Sequence, residues 1–250
     1  MQDGKTVTTG LVLRVTETKE TDKILTVLTP DRGKIPLIAR GARRKNSRIA
    51  AASQLLAYSE LTLYRRGSWF LLDEASTVEL FDGVRRDIVL LALASYFAEL
   101  TEAVCPEETA APELLSLLLN ALYALCYLDR DPRLVKAAFQ LRLLALAGFE
   151  PLASSCAVCG RPEPEAPMLD VVHGVVHCGG CKRQGGLSMP LTAAGLAALR
   201  HILYCDSKKL YSFTLEETAL RELDHAGEAF AASQLERSFR TLDYYKSLLG

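Results

Sequence analysis

The sequence predicts an α+β chain: a five-stranded N-terminal barrel, then an all-α helical domain carrying an inserted four-cysteine metal module. Three observations predict it. Residues 1–80 break into short, β-branched, roughly alternating runs. From Val84 onward, Leu and Ala recur at helical spacing. Within the helical part stand two C-x-x-C pairs, Cys156/Cys159 and Cys178/Cys181, with eighteen residues between them. A chain of 250 residues, 49% apolar and 24% charged, can build real cores and is not of disordered composition. The expected division is residues 1–80 and 81–250, with the module at 154–186 and the boundary near Phe81-Asp82-Gly83.

The strands come first. Val7–Val15, Lys23–Thr29 and Lys34–Arg40 alternate, and Pro30-Asp31-Arg32-Gly33 turns between the second and third. Leu55–Tyr64 and Trp69–Leu80 complete the set, joined by Arg65-Arg66-Gly67-Ser68. Between the third and fourth strands, Asn46 or Ser47 can cap a short helix with alanines following. Five strands with a helix in that place give the order of an OB-fold barrel.

Helices follow over Arg85–Cys105, Ala111–Asp129 and Pro132–Ala147, with Pro112 and Pro132 in first-turn positions and Gly148 as a stop. The middle one is apolar nearly all round and reads as the centre of a bundle. After the cysteine segment, helices resume at Thr192–Tyr204, Leu215–Ala232 and Leu235–Leu248.

The cysteine spacing suits one ion. A two-residue spacer aims two sulfurs at a point, and Zn²⁺ takes four ligands at tetrahedral corners. Gly160, Gly179 and Gly180 are placed for the turns, and VVHGVVHC reads as a hairpin turning at His173-Gly174. Four cysteines with no open position describe a structural zinc, one per chain. A disulfide framework and a redox pair are the competing readings. The start, MQDGKTVTTG, shows no apolar signal core, and no thioredoxin-like pattern accompanies the motifs. His173 and His177 could substitute as ligands, or lie exposed on the hairpin. Cys105, Cys126 and Cys205 read as buried, inert thiols.

Charge is uneven. Residues 1–80 hold thirteen Lys/Arg against nine Asp/Glu, whereas the whole chain has a net charge of -1. Seven cations fall within 32–48, a stretch with no acid. Such a cluster implies a polyanion, because phosphates bind Lys and Arg without needing a sequence code. Tyr58, Tyr64, Trp69 and Phe70 are candidate stacking surfaces or core. No P-loop, G-x-S-x-G or H-E-x-x-H occurs, and no H-x-E precedes the knuckles, so no catalysis and no small-molecule substrate are expected. No run of about eighteen uncharged apolar residues occurs, and a cytoplasmic, nucleoid-associated protein without a membrane partner is expected.

Taken together, TGLVLRVTETKETDKILTVLTPDRGKIPLIARGARRKNSR, then LTLYRRGSWFLLDEAS, then FQLRLLALAGFEP running into CAVCG, resemble the RecO family of bacterial recombination mediators along essentially the whole chain. The resemblance implies an OB-fold and a helical domain with a zinc module. It implies binding of single- and double-stranded DNA, annealing of complementary strands, and loading of RecA together with RecR. It also implies a grip on the C-terminal tail of single-strand-binding protein. By position, Lys34, Arg40, Arg43, Arg44, Lys45 and Arg48 match the family's basic region, with Arg65 and Arg66 as additions. Lys136 or Arg142 is a candidate edge for the tail groove. An OB-fold adaptor for protein or RNA and a zinc hydrolase are the alternatives from other classes.

Overall fold

The structure is a computed structural model that describes residues 4–67, 69–181 and 185–250. Ser68 of the expected fourth turn and residues 182–184 of the expected metal module lie outside the described residues. The chain forms two compact units, Met1–Cys126 with Arg240–Gly250, and Tyr127–Phe239.

In the first unit, five strands close a barrel in the order β1-β2-β3-β5-β4: β1 Thr6–Thr18, β2 Asp22–Thr29, β3 Gly33–Ala39, β4 Tyr58–Arg66 and β5 Trp69–Glu79. β1 pairs antiparallel with both β2 and β4, and β3 lies parallel to β5. This is the OB-fold arrangement. Alternation explains it: Ile35, Leu37 and Ala39 point inward with Leu25, Val27, Leu61, Leu63 and Phe70, while Lys34, Pro36, Ile38 and Arg40 face outward. Leu11 and Leu28 are cross-strand partners outside that core, yet both are fully buried. The helix Ile88–Val104 packs against β1.

The expected helix between β3 and β4 is absent. Residues 40–56 instead run as successive turns. The N–H groups of Arg44, Ser47 and Ala50 reach back three residues, to Gly41, Arg44 and Ser47. Gly41 and Leu56 take positive φ at 64° and 61°. Crowded like charges and turn-favouring Gly41, Asn46 and Ser47 outweigh the alanines.

The first long helix is divided: α1 is Asp82–Arg85 and α2 is Ile88–Val104. Asp87 causes the break, because its carboxylate accepts from the N–H groups of Val89 and Leu90 and caps α2. Arg85 ties this corner together, donating to the carbonyls of Leu80 and Leu55. Helix α3 is Pro112–Tyr127, and it is not apolar all round in situ: Ser116, Tyr123 and Tyr127 form an exposed stripe.

The second unit contains α4 Pro132–Leu146, a three-stranded sheet of order β7-β6-β8, α5 Ala193–Tyr204 and α6 Glu217–Leu235. The strands are β6 Pro167–Asp170, β7 Val175–Cys178 and β8 Ser188–Pro190. Asp131 caps α4 and Thr192 caps α5. Lys136 is 3% exposed, bridging from α4 to Asp224 (3.0 Å) and Glu228 of α6. The Arg142 guanidinium donates to the carbonyls of Ile202, Leu203 and Cys205, the end of α5. Neither cation is a free edge for an acidic tail. The final helix, α7 Arg240–Ser247, belongs to the first unit, where Glu99 accepts from the Thr241 N–H at 3.1 Å.

Candidate nucleic-acid interface and metal centre

The four cysteines converge. Their sulfurs all lie within 4.8 Å of one another, and Cys159 Sγ is 3.9 Å from Cys178 Sγ. Four sulfurs about 2.3 Å from one ion stand about 3.8 Å apart, so the donor set fits a tetrahedral thiolate-bound metal. The N–H groups of Cys159 and Cys178 point at Cys156 Sγ from 3.5 and 3.4 Å. Burial works against ionising Cys156. The N–H groups of Cys159, Cys178 and Val158 more than offset it, holding the pKa down to about 6. That negative sulfur then discourages its neighbours. Cys181 is pushed up to about 12 by the hydrogen bond with Cys159, then by burial and the Cys156 charge. A cation would relieve this mutual repulsion.

The knuckles are shaped by particular glycines. Gly160 takes φ 72°, so a left-handed turn follows the first pair. Gly179 needs space rather than conformation: a Cβ there would stand 3.0 Å from the Ala166 carbonyl oxygen. The hairpin turns at Gly174, φ 64°. Neither histidine is turned to the sulfurs. His173 Nδ1 meets Asp170 Oδ2 at 2.7 Å, and His177 bridges the Cys178 carbonyl and Ser188 Oγ, both at 2.8 Å. His177 is also buried rather than an exposed hairpin residue.

Sequence reasoning missed the groups that hold this module. Arg200 on α5 donates to the carbonyls of Ala153, Ser154 and Pro162 and to Glu163, gripping both flanks of the first knuckle. Gln234 on α6 donates to the carbonyls of Val171 and Val172. These contacts join segments tens of residues apart, and no local motif announces them.

The basic candidates divide by what they touch. Arg40, Arg44, Lys45 and Arg48 are exposed, and none has an ion pair among the described residues. Arg43 is exposed too, but pairs with Glu17 at 3.1 Å and donates to the Glu20 carbonyl. Lys34 donates to the Glu102 carbonyl at 3.0 Å and is half-buried. Arg65 pairs with Glu108 at 3.3 Å, while Arg66 is exposed.

Two ends of the barrel thus carry positive charge. At one end, Lys19, Glu20, Thr21, Asp22, Arg40, Gly41 and Arg44 line a groove of about 640 Å³ between the β1–β2 turn and the start of the 40–56 segment. Of its two acids, Asp22 accepts from the Gly41 N–H at 2.8 Å, which holds that carboxyl ionised, below its usual range. At the other end, Arg65 and Arg66 close β4 beside Trp69. The outer surface of β2 and β3 lies between them.

Two family models match. The model described as "Recombination protein O N terminal" matches residues 1–81, and "Recombination protein O C terminal" matches residues 85–243. Among relatives named "DNA repair protein RecO", that of Acetivibrio thermocellus is 31% identical over 241 residues, covering 96% of each chain. That of Symbiobacterium thermophilum is 32% identical over 246 residues, again covering 96% of each. That of Anaeromyxobacter dehalogenans is 36% identical over 248 residues, covering 97% of each. With both halves matched and relatives aligned end to end, the chain belongs to the RecO family of DNA repair proteins.

Proposed function

We propose that this chain is a non-catalytic, cytoplasmic DNA-binding mediator. It anneals complementary single strands and, with RecR, loads RecA onto strands coated by single-strand-binding protein. The observation that carries DNA binding is the set of four exposed cations, Arg40, Arg44, Lys45 and Arg48, none in an ion pair among the described residues, at the end of β3 and in the segment that follows it. Such a set neutralises phosphates and releases counterions. Two strands whose charge is neutralised repel each other less, so pairing nucleates faster, with no covalent step. Arg43, Lys34, Arg65 and Arg66 extend the field, the first three while engaged with their own chain. Residues 1–80 would carry DNA and residues 81–250 the protein partners, including the tail of single-strand-binding protein.

In the second unit, Cys156, Cys159, Cys178 and Cys181 would hold one Zn²⁺, a structural ion that pins the knuckles to the sheet. Metal analysis should return about one zinc per chain, lost in Cys156→Ser together with the cooperative melting of that unit.

The salt dependence of binding tests the DNA site. For a labelled single strand, log K should fall against log salt by about 0.7 per phosphate contacted. Replacing Arg40, Arg44, Lys45 and Arg48 with alanine should flatten that slope by about 2 to 3. Arg43→Ala alone should change it by less than about 0.5, since Glu17 already neutralises that side chain. A slope unmoved by the quadruple variant would place the DNA elsewhere.

A further inference from the structure

The barrel carries one aromatic side chain displayed as a platform and three that are not. Phe70 is 4% exposed and sits in the core, with the guanidinium groups of Arg32 and Arg65 over its ring at 5.6 and 5.4 Å. Tyr58 and Tyr64 are half-buried. Trp69 is 39% exposed. Alternation explains the contrast, because Phe70 points into the barrel and its neighbour must point out.

The register fixes what surrounds the indole. Trp69 is the cross-strand partner of Arg66 on β4. Leu37 pairs with Phe70, which sets Trp69 alongside Pro36, an exposed residue of β3. From Pro36 the outer surface continues through Ile38 and its partner Ile24, both half-exposed, toward Arg40. An apolar track therefore begins at a tryptophan, is flanked by Arg65 and Arg66, and ends at the cations of the opposite rim. Phosphates gain nothing from such a track. Base faces do, and a duplex hides its base faces while an unpaired strand presents them. Cations at both ends complement a polyanion laid across the track.

We infer that Trp69 is the stacking residue of the barrel, and that it makes this surface prefer unpaired strands to duplex. The inference rests on the barrel binding DNA, and it adds which residue reads the difference between the two forms.

Trp69 is the single tryptophan of the chain, so its emission reports on this site alone. The full chain would be titrated with an oligothymidylate of about 30 nucleotides, following intrinsic fluorescence and, in parallel, the anisotropy of a labelled copy. Emission should quench along the same isotherm as the anisotropy rise, and the matching duplex should bind with little quenching. Trp69→Ala should weaken single-strand binding roughly 10-fold, the scale of one stacked base, with duplex binding within about two-fold and the salt slope unchanged. Trp69→Phe should recover most of the loss, because a smaller ring still stacks. If binding proceeds with normal salt dependence but without quenching, or Trp69→Ala binds both forms as the wild type does, the stacking role is wrong while the basic rim stands. If neither strand form binds, or the quadruple rim variant keeps the full slope, the DNA site itself is misplaced and the stacking role falls with it.

Discussion

At the scale of the residue, two side chains have consequences that their neighbours in sequence do not suggest. Arg200 makes four hydrogen bonds across the first knuckle from a helix about forty residues later. Arg200→Ala should cost about 1.5–3 kcal/mol in chemical denaturation, the range for charge-assisted hydrogen bonds left unmade, and should speed metal loss to a chelator. Asp224 is 5% exposed, and burial, opposed by Lys136, pushes its carboxyl up to about 6. Its folded value is then above the ordinary carboxylate value of about 3.9. The stabilisation from that bound proton is complete below about pH 4 and disappears as pH rises through 6. Asp224→Asn does not titrate. Its stability relative to wild type should therefore improve by on the order of 2 kcal/mol between about pH 4 and 7, read from urea midpoints. A pH-independent gap would show that Asp224 stays ionised throughout. The four cysteines were legible because their spacing is itself the signal. The cations were legible as a cluster but not one by one: the partners of Arg43 and Arg65, Glu17 and Glu108, stand 26 and 43 residues away.

At the scale of the element, Gly33 opens β3 under two constraints at once. Its φ is 59°, and a Cβ would run into the carbonyl oxygens of both Thr109 and Pro106. The segment after α2 lies against this turn, with the Lys34 N–H donating to the Pro106 carbonyl and the Ala111 N–H to that of Pro30. Gly33→Ala should lower stability by at least about 1–3 kcal/mol, the cost of a left-handed non-glycine residue, before the clash is counted. A thermal melt matching that of the wild type would contradict it. The barrel strands were readable because inward and outward residues alternate, and that period is local. The 40–56 segment was not, since alanines after a capping residue describe a helix and a chain of turns equally well. Strand β8 was missed for another reason. Three residues carry no period, and β8 exists because Asp170, Leu169 and Met168 of β6 offer it a partner.

At the scale of the whole molecule, the two units hold different balances of charge and chemistry. The first unit contains the barrel, and its strands bury residues that the barrel interior does not account for, Leu11 and Leu28 among them. A fragment of residues 1–80 lacks α2, which packs on β1. It should retain affinity for oligothymidylate but melt at lower temperature than residues 1–126 and bind a hydrophobic dye; equal melting of the two fragments would show that the helices add nothing to the barrel. In the second unit the sheet that carries Cys178 is small, and α5 and α6 hold the first knuckle and the β6–β7 turn through Arg200 and Gln234. The described helices include none long and apolar enough to cross a membrane.

The ring of strands has one last implication. Because β1 bonds to both β2 and β4, the sheet ends where it began, but its seam between β3 and β5 is thin, held at Leu37–Phe70 and Ile38–Leu71. Were the ring to breathe, it would part first there, where β5 beyond Leu71 has a described strand on one side only.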